Sequence, residues 1–422
     1  MSVSKKIDYI HTVSSSEVAS TDSSAFTEVV ESSDLVAGKT YHVICNALIE
    51  GSHNGSVFEF RLYDTTNGAE VADSKILREV HTANETQSYH FVGSFTAGAS
   101  GGGLAFQQKA AASKTVRTQS VSMIIMDLSG MRPTDYFLES DSTQAQHTDS
   151  YVDRVTKTVD KTKAGDQWMV FAWGSFSMDS TSKTTAMTLS YTNGGSTEAE
   201  PETVFEGEDL TEILAFSISR TFTIGTTGTS VWKMQSKDPV LHASTPNDYE
   251  AGALFGLRLN AFADFSVDYD TGGTVWIADE FQEAASVSHT PSQAGGNIVL
   301  ATCIADPDSR GNRGFLARIQ VDGTSSPNAV GDTQLNTNTY DATSMPSILV
   351  TSTYTGARGV TNTIDLDCKR SVTGDTQLVK DKNLVSFSAE LNYDSPTVTG
   401  KMRRPGVFRR GGGRTTRKNL RR

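Results

Sequence analysis

The chain has 422 residues, more than one hydrophobic core usually serves, and a usual domain size of about 100–150 residues divides it into two to four units. Hydrophobic residues make up 37% and charged residues 20%, which fits a globular protein and excludes a disordered one. The formal charge of −12 is unevenly placed: Lys401–Arg422 holds ten Lys or Arg and no acid, leaving 27 bases against 49 acids in the rest.

Residues 1–25 are polar and Ser-rich and read as a lead strand and loop, with the core beginning at Phe26. Strand-forming runs then follow in order: AFTEV, YHVICNALI from Tyr41, VFEFRLY ending near Asn67-Gly68, YHFVGSF from Tyr89, GLAFQQ from Gly103 and VSMIIMDL from Val121. The order repeats with WMVFAWGSF from Trp168, AMTLSY into Asn193-Gly194, ILAFSISRTF from Ile213, SVWKMQS from Ser230 and ALFGLRLNAFADF from Ala253. A third copy has IVLATCIA from Ile298, FLARIQV into Asp322-Gly323, SILVTSTY from Ser347, TIDLDC from Thr363 and LVSFSAELNY from Leu384. No window carries the period of a four-turn amphipathic helix.

Each copy opens on an Ala-Gly pair, at Ala37, Ala164 and Ala294, followed three residues after the Gly by Tyr41, Trp168 or Ile298. The Asn-Gly or Asp-Gly dipeptide falls 29, 28 and 27 residues after that Gly, where a type I′ hairpin turn needs positive φ at both central residues. Alternation within the next strand puts Phe58, Phe60 and Leu62, then Met187, Leu189 and Tyr191, then Phe315, Ala317 and Ile319 on one apolar face. Strands with one apolar face pack as two sheets, so the expected fold is all-β. It has three tandem antiparallel β-sandwich domains of jelly-roll type, 1–135, 136–280 and 281–398, followed by a basic C-terminal arm, 399–422.

Patterns that carry chemistry are sparse. The eight histidines have no ligand spacing, and Cys45, Cys303 and Cys368 read as buried thiols, so no metal or cofactor is expected. Asp306-Pro-Asp308-Ser-Arg-Gly311 begins like a calcium loop but places Arg310 where an acid or amide is needed. Glu198, Glu200, Glu206 and Glu208 lie in STEAEPETVFEGEDLTE, which reads as a solvated loop without the walls of a glycosidase site. Trp168, Trp173 and Trp232 fall in core strand patterns, while Trp276 stands in a linking segment. The chain is expected to be non-enzymatic.

The arm is the one feature outside the cores with a physical case for binding. Arg403, Arg404, Arg409, Arg410, Arg414, Arg417, Lys418, Arg421 and Arg422 form a polycation that could dock on an acidic protein surface, track nucleic acid, or stay solvated. The acidic body repels a nucleic-acid ligand, which favours a protein partner reached through bidentate arginine–carboxylate pairing.

At SSAFTEV, AGKTYHV, FEFRLYDTTNG and SVSMIIMDL the chain resembles virion structural proteins of tailed bacteriophages, built from tandem jelly-roll domains of the tumour-necrosis-factor or C1q kind. The resemblance implies head-decoration, neck or tail-associated assembly with other virion proteins, as a homo-oligomeric trimer or ring. The rival expectation is a carbohydrate-binding adhesin of the same fold that holds host glycans on its loops. No apolar run of about 18 residues is present to cross a membrane, and MSVSKKIDYIHTV lacks a signal-peptide core. Synthesis in the host cytoplasm and residence in the virion are therefore expected.

Overall fold

The computed structural model describes residues 5–393 apart from 54–55, 81–84, 179–182, 208–211, 239–247, 271–273, 277–279, 308–313, 326–332, 337–346 and 371–376. The first sandwich comprises β1 (Asp8–Ser14), β2 (Val18–Ser20), β3 (Thr27–Leu35), β4 (Thr40–Gly51), β5 (Ser56–Asp64), β6 (Ala69–Glu70), β7 (Ile76–Val80), β8 (Glu85–Thr96), β9 (Gly102–Lys109) and β10 (Val116–Asp127). The second comprises β11 (Tyr136–Asp141), β12 (Ala145–Gln146), β13 (Val152–Thr162), β14 (Gln167–Met178), β15 (Lys183–Asn193), β16 (Ser196–Gly207), β17 (Glu212–Thr223), β18 (Gly228–Lys237) and β19 (Asp248–Arg258). The third comprises β20 (Phe265–Asp270), β21 (Thr274–Trp276), β22 (Gln282–His289), β23 (Gly295–Pro307), β24 (Gly314–Val321), β25 (Thr324–Ser325), β26 (Thr333–Asn336), β27 (Ser347–Gly356), β28 (Asn362–Arg370) and β29 (Gln377–Ser388).

Strand order identifies the jelly roll three times. One sheet runs β1-β10-β4-β8, β11-β19-β14-β17 and β20-β29-β23-β27 in the successive sandwiches. Its partner runs β3-β9-β5-β7, β13-β18-β15-β16 and β22-β28-β24, with β25 and β26 pairing β24. Among the described residues the named strands pair antiparallel throughout, and a single pairing, Ile213 with Leu77, joins β17 to β7 across the first two sandwiches. β20 falls within residues 136–280 yet lies along β29, Phe265 opposite Phe387, so its hydrogen bonds belong to the third sandwich. FSVDYD shares only Phe265 with the run ALFGLRLNAFADF, and the boundary expected at 280 falls beyond it because only the pairing partner assigns this strand to its sandwich.

The central strands of the first sheet of each sandwich are buried on both faces. In β4 one face, Tyr41, Val43, Cys45, Ala47 and Ile49, packs into its own sandwich, while His42, Ile44, Asn46 and Leu48 face outward from it and are buried all the same. In β14 Trp168, Val170, Ala172 and Phe176 join the core of the second sandwich, whereas Met169, Phe171 and Trp173 join apolar residues of the other two. The three sandwiches therefore pack on one another through these inner sheets. Each Ile, Leu, Met or Phe wholly buried there contributes about 1.5–3 kcal/mol.

The signature register holds in two copies and slips in the third. Gly38 and Gly165 have φ of +69° and +85°, the left-handed turn that glycine permits. In the third copy Val299, Ala301 and Cys303 face the sandwich core, and Ile298 and Leu300 face the neighbouring sandwiches. Asn297, opposite Ser388, holds the place that Trp168 holds opposite Arg258, so Ile298 is one residue out of step with Tyr41 and Trp168. A slip of one residue exchanges the faces of a strand, and here both faces accept apolar side chains.

The hairpin turns vary too. Asp322-Gly323, with φ of +53° and +69°, is the expected two-residue turn, but in the second copy Gly194 and Gly195 occupy it and Asn193 pairs with Ser196 in the ladder. In the first copy a four-residue loop is held by the Asp64 carboxylate, which accepts from the backbone N–H groups of Thr66 and Asn67. The glutamate-rich stretch from Ser196 is strand β16, not a solvated loop: its backbone is satisfied by β15, and charges suit the edge of a sheet.

One outer-face contact recurs in all three sandwiches. An aromatic residue just before the third, thirteenth or twenty-second strand lies under the lysine opposite it: Lys109 over Phe26 at 5.6 Å, Lys237 over Tyr151 at 4.2 Å and Lys369 over Phe281 at 4.5 Å. Arg61 and Arg318 cover Phe26 and Phe281 as well, at 3.7 and 3.8 Å.

Because the inner sheets need cover on both faces, residues 1–131 expressed alone should bind a hydrophobic dye and aggregate, and the full chain should melt in one calorimetric transition. Three separate transitions, or a soluble, dye-silent fragment, would contradict the shared core.

Candidate functional site

The residues proposed for partner binding, Arg403, Arg404, Arg409, Arg410, Arg414, Arg417, Lys418, Arg421 and Arg422, lie outside the described residues, as does most of the calcium-like loop after Pro307. Cys45, Cys303 and Cys368 are free and buried, and burial raises the Cys45 and Cys368 thiols. Among the described residues no group of three or more His, Cys, Asp or Glu could hold a metal ion. Trp168, Trp173 and Trp232 are buried, and the backbone of Trp276 pairs with Gln377 in β21. Glu198, itself exposed, forms an ion pair at 2.9 Å with Arg220, whose guanidinium lies over the Phe222 and Tyr269 rings. An open groove of about 590 Å³ on the first sandwich, bordered by Glu31, Asp34, Thr65, Thr66 and Gly101, has no aromatic lining residue to stack on a sugar.

The structure instead gathers polar side chains at the seams between sandwiches. Between the first and third, His11 Nδ1 lies 2.8 Å from Thr353 Oγ1 and His11 Nε2 lies 2.8 Å from Ser122 Oγ. Thr351 Oγ1 donates to Ser122 Oγ or Asn46 Oδ1 at 2.6 and 3.1 Å. Between the second and third, Ser219 Oγ meets Thr302 Oγ1 at 2.8 Å, and Asn383 donates to Ser219 and accepts from Thr221. Between the first and second, His42 stacks on Phe255 and meets the edge of Tyr136.

His90, on the edge strand β8, joins all three. Its carbonyl accepts from the Trp173 indole at 2.9 Å, its Nδ1 lies 3.3 Å from Ser217 Oγ, and its Nε2 accepts the backbone N–H of Leu349 at 3.4 Å. This set fits a neutral ring with the proton on Nδ1, because a protonated Nε2 would confront the Leu349 donor. Sequence reasoning missed these residues, although the alternation of His, Asn, Ser and Thr within otherwise apolar inner strands carried the signal.

A second charged arrangement sits where the signature turn of the second sandwich meets the end of β19. Arg258 pairs with Asp135 at 2.8 Å and Asp166 at 2.9 Å, and the Tyr393 hydroxyl donates to the second oxygen of Asp135. The first sandwich has the same pair with its charges exchanged, Lys39 to Asp127 at 2.5 Å, and the third has Gly295 and Ser388 there. These pairs mark each sandwich's end differently. Arg258, Asp135 and Asp166 border a cleft of about 240 Å³.

No protein-family model and no curated protein sequence matches the chain. Among solved structures it is similar to PNGase F, a glycosylasparaginase from Flavobacterium meningosepticum, with a TM-score of 0.30 and 8% identity over 60% of this chain and 96% of that one. It is also similar to a chain of the triple jelly-roll fold and turret assembly of an archaeal virus, with a TM-score of 0.20 and 10% identity over 85% of this chain and 82% of that one. The VP2 subviral particle of infectious bursal disease virus gives a TM-score of 0.24 and 7% identity over 95% of this chain and 84% of that one. At such scores no activity or partner carries over, and the fold rests on the strand pairing itself.

Two outcomes follow from the seams and the ion pairs. Burial holds His11 and His42 down at about 4, and burial with the nearby Arg78 charge holds His90 at about 3, from an ordinary 6.5. The unfolded chain then binds more protons than the folded one below pH 6.5, so stability is full above that pH and falls as acid is added toward pH 4. Thermal melts from pH 7.5 to 4.5 should show this loss, reduced in His42→Phe; a melting temperature independent of pH would refute it. Arg258→Met leaves Asp135 buried without its cation and should cost about 3–5 kcal/mol in chemical denaturation, against under 1 kcal/mol for the exposed partner of a surface pair such as Lys233→Met.

Proposed function

We propose that this chain is a non-enzymatic structural protein of a bacteriophage particle, in which three jelly rolls form one block and the basic arm fastens that block to neighbouring virion proteins. The observation that carries this reading is the burial of the central strands of the inner sheets on both faces, which commits the most apolar surfaces to holding the sandwiches together. What remains outside is largely polar: among the described residues only Val36 and Val360 are large hydrophobics counted as exposed. Such a block presents a rigid, hydrated body, and a separate attachment element then has to supply the affinity for the particle. Lys401–Arg422, with ten cations and no acid, suits an acidic neighbour. The phage resemblance implies a homo-oligomeric trimer or ring, which copies of this block would form through their outer surfaces.

Deleting residues 401–422 should leave a soluble block with an unchanged melting temperature that no longer joins the particle. Purified particles assembled with the truncated protein provide the measurement, and normal incorporation would sink the anchoring role.

A further inference from the structure

The aromatic residue that opens the signature strand has a different polar environment in the first two sandwiches. In the first, the Tyr41 hydroxyl accepts the backbone N–H of Val36, the residue following β3, at 2.8 Å. In the second, Trp168 takes the place of Tyr41 and Lys163, the residue following β13, takes the place of Val36. An indole nitrogen can only donate, so it cannot take over the accepting role of the Tyr41 hydroxyl. Trp168 is 1% exposed, and its Nε1 has no hydrogen-bond partner.

Trp168 lines the cleft of about 240 Å³ beside Arg258, and the cations around that cleft are not equally engaged. Arg258 is held by Asp135 and Asp166, and the third acid of the cleft, Asp160, accepts from Thr229. Arg132, Lys161 and Lys163 have no carboxylate partner among the described residues, and the Arg132 guanidinium lies over the Tyr393 ring at 4.4 Å. Lys161 adopts φ of +64°, unusual outside glycine, where the ladder between β13 and β18 is irregular from Val159 to Thr162. In an acidic chain, three cations without a carboxylate partner among the described residues border a single opening whose lining includes Trp168.

We propose that this cleft is an oxyanion site, in which Lys161, Lys163 and Arg132 hold a carboxylate or phosphate group against the wall that Trp168 helps to form, close enough to the buried indole to shift its resonance. The chemistry needed is an acceptor with negative charge, since the three cations that lack a carboxylate partner are all donors. The site belongs to the second sandwich alone: the first fills the position with a satisfied tyrosine, and the third places Asn297 there. It stands independently of the virion reading, which concerns the inner sheets and the arm.

The test uses the full chain labelled with nitrogen-15 at tryptophan, titrated with sodium phosphate and with sodium acetate, against sodium chloride at equal ionic strength. The resonance of the Trp168 indole is identified by its loss in Trp168→Phe. The expected result is a saturable shift of that resonance by phosphate, acetate or both, with the half-point moved at least about tenfold upward in Lys161→Gln/Lys163→Gln. Whichever anion acts identifies the group. The double variant changes only exposed lysines, so it tests the site even if Trp168→Phe fails to fold and the resonance is assigned by other means. An equal shift by chloride, no saturable shift, or saturation unaffected by the double variant would overturn the proposal.

Discussion

A sheet covered on both sides has no face left for water, so every polar side chain in it must find its partner inside the protein. The three inner sheets meet this requirement in part by exchanging hydrogen bonds across sandwiches, His11 with Thr353, Ser219 with Thr302 and Thr221 with Asn383, while the buried hydroxyls of Ser88, Ser120, Ser347 and Ser352 have no partner among the described residues. Leaving such groups unpaired costs about 1–3 kcal/mol each. The seams therefore combine the non-directional stabilisation of apolar burial with bonds that are satisfied in one arrangement only. His90 shows the logic at its tightest, because its side chain meets Ser217 of one neighbouring sandwich and Leu349 of the other, while its backbone carbonyl takes the indole of Trp173.

Chemical differences between copies supply direction to an otherwise repetitive body. The ion pair at the end of each inner sheet is Lys39 with Asp127, then Asp166 with Arg258 in reversed sense, then uncharged. Each of these pairs lies within its own sandwich, so it marks that end chemically. The outer faces keep what is common, a lysine over an aromatic in each copy, because nothing there has to distinguish one sandwich from another.

Most of the fold could be read from the amino acids because alternation survives on the outer sheets: VFEFRLY shows its buried Phe58, Phe60 and Leu62 plainly. On the inner sheets the same rule loses its force. In YHVICNALI neither parity is exposed, so the run announces a strand without saying which face meets which core. That is why the third copy could be aligned one residue astray: Ala294-Gly295-Gly296 offers two glycines, and both phases of IVLATCIA are buried. β16 escaped for the opposite reason, since its glutamates suggest solvent and only the ladder with β15 identifies it. The seam residues had a faint mark, His42 and Asn46 or Ser217 and Ser219 at alternate positions of apolar strands, which signals a second buried layer that is polar. The cleft beside Trp168 had none, because an orphaned donor is visible only when its surroundings are known.

The two ends of the described chain also touch: Ile7 donates to Ala389 at 2.9 Å, Leu391 donates to Lys5 at 2.7 Å, and Tyr393 reaches back to Asp135. β1 thus finishes its surroundings with residues made some 380 positions later, and His11 waits for Thr353. On the ribosome, at about 5–20 residues per second, the first sandwich stands with an open apolar face for tens of seconds before its cover exists. Folding of this chain is consequently a problem of timing as much as of affinity. Protection of the nascent inner sheet, by a chaperone or by slow docking of partly formed sandwiches, has to last until the third jelly roll has emerged.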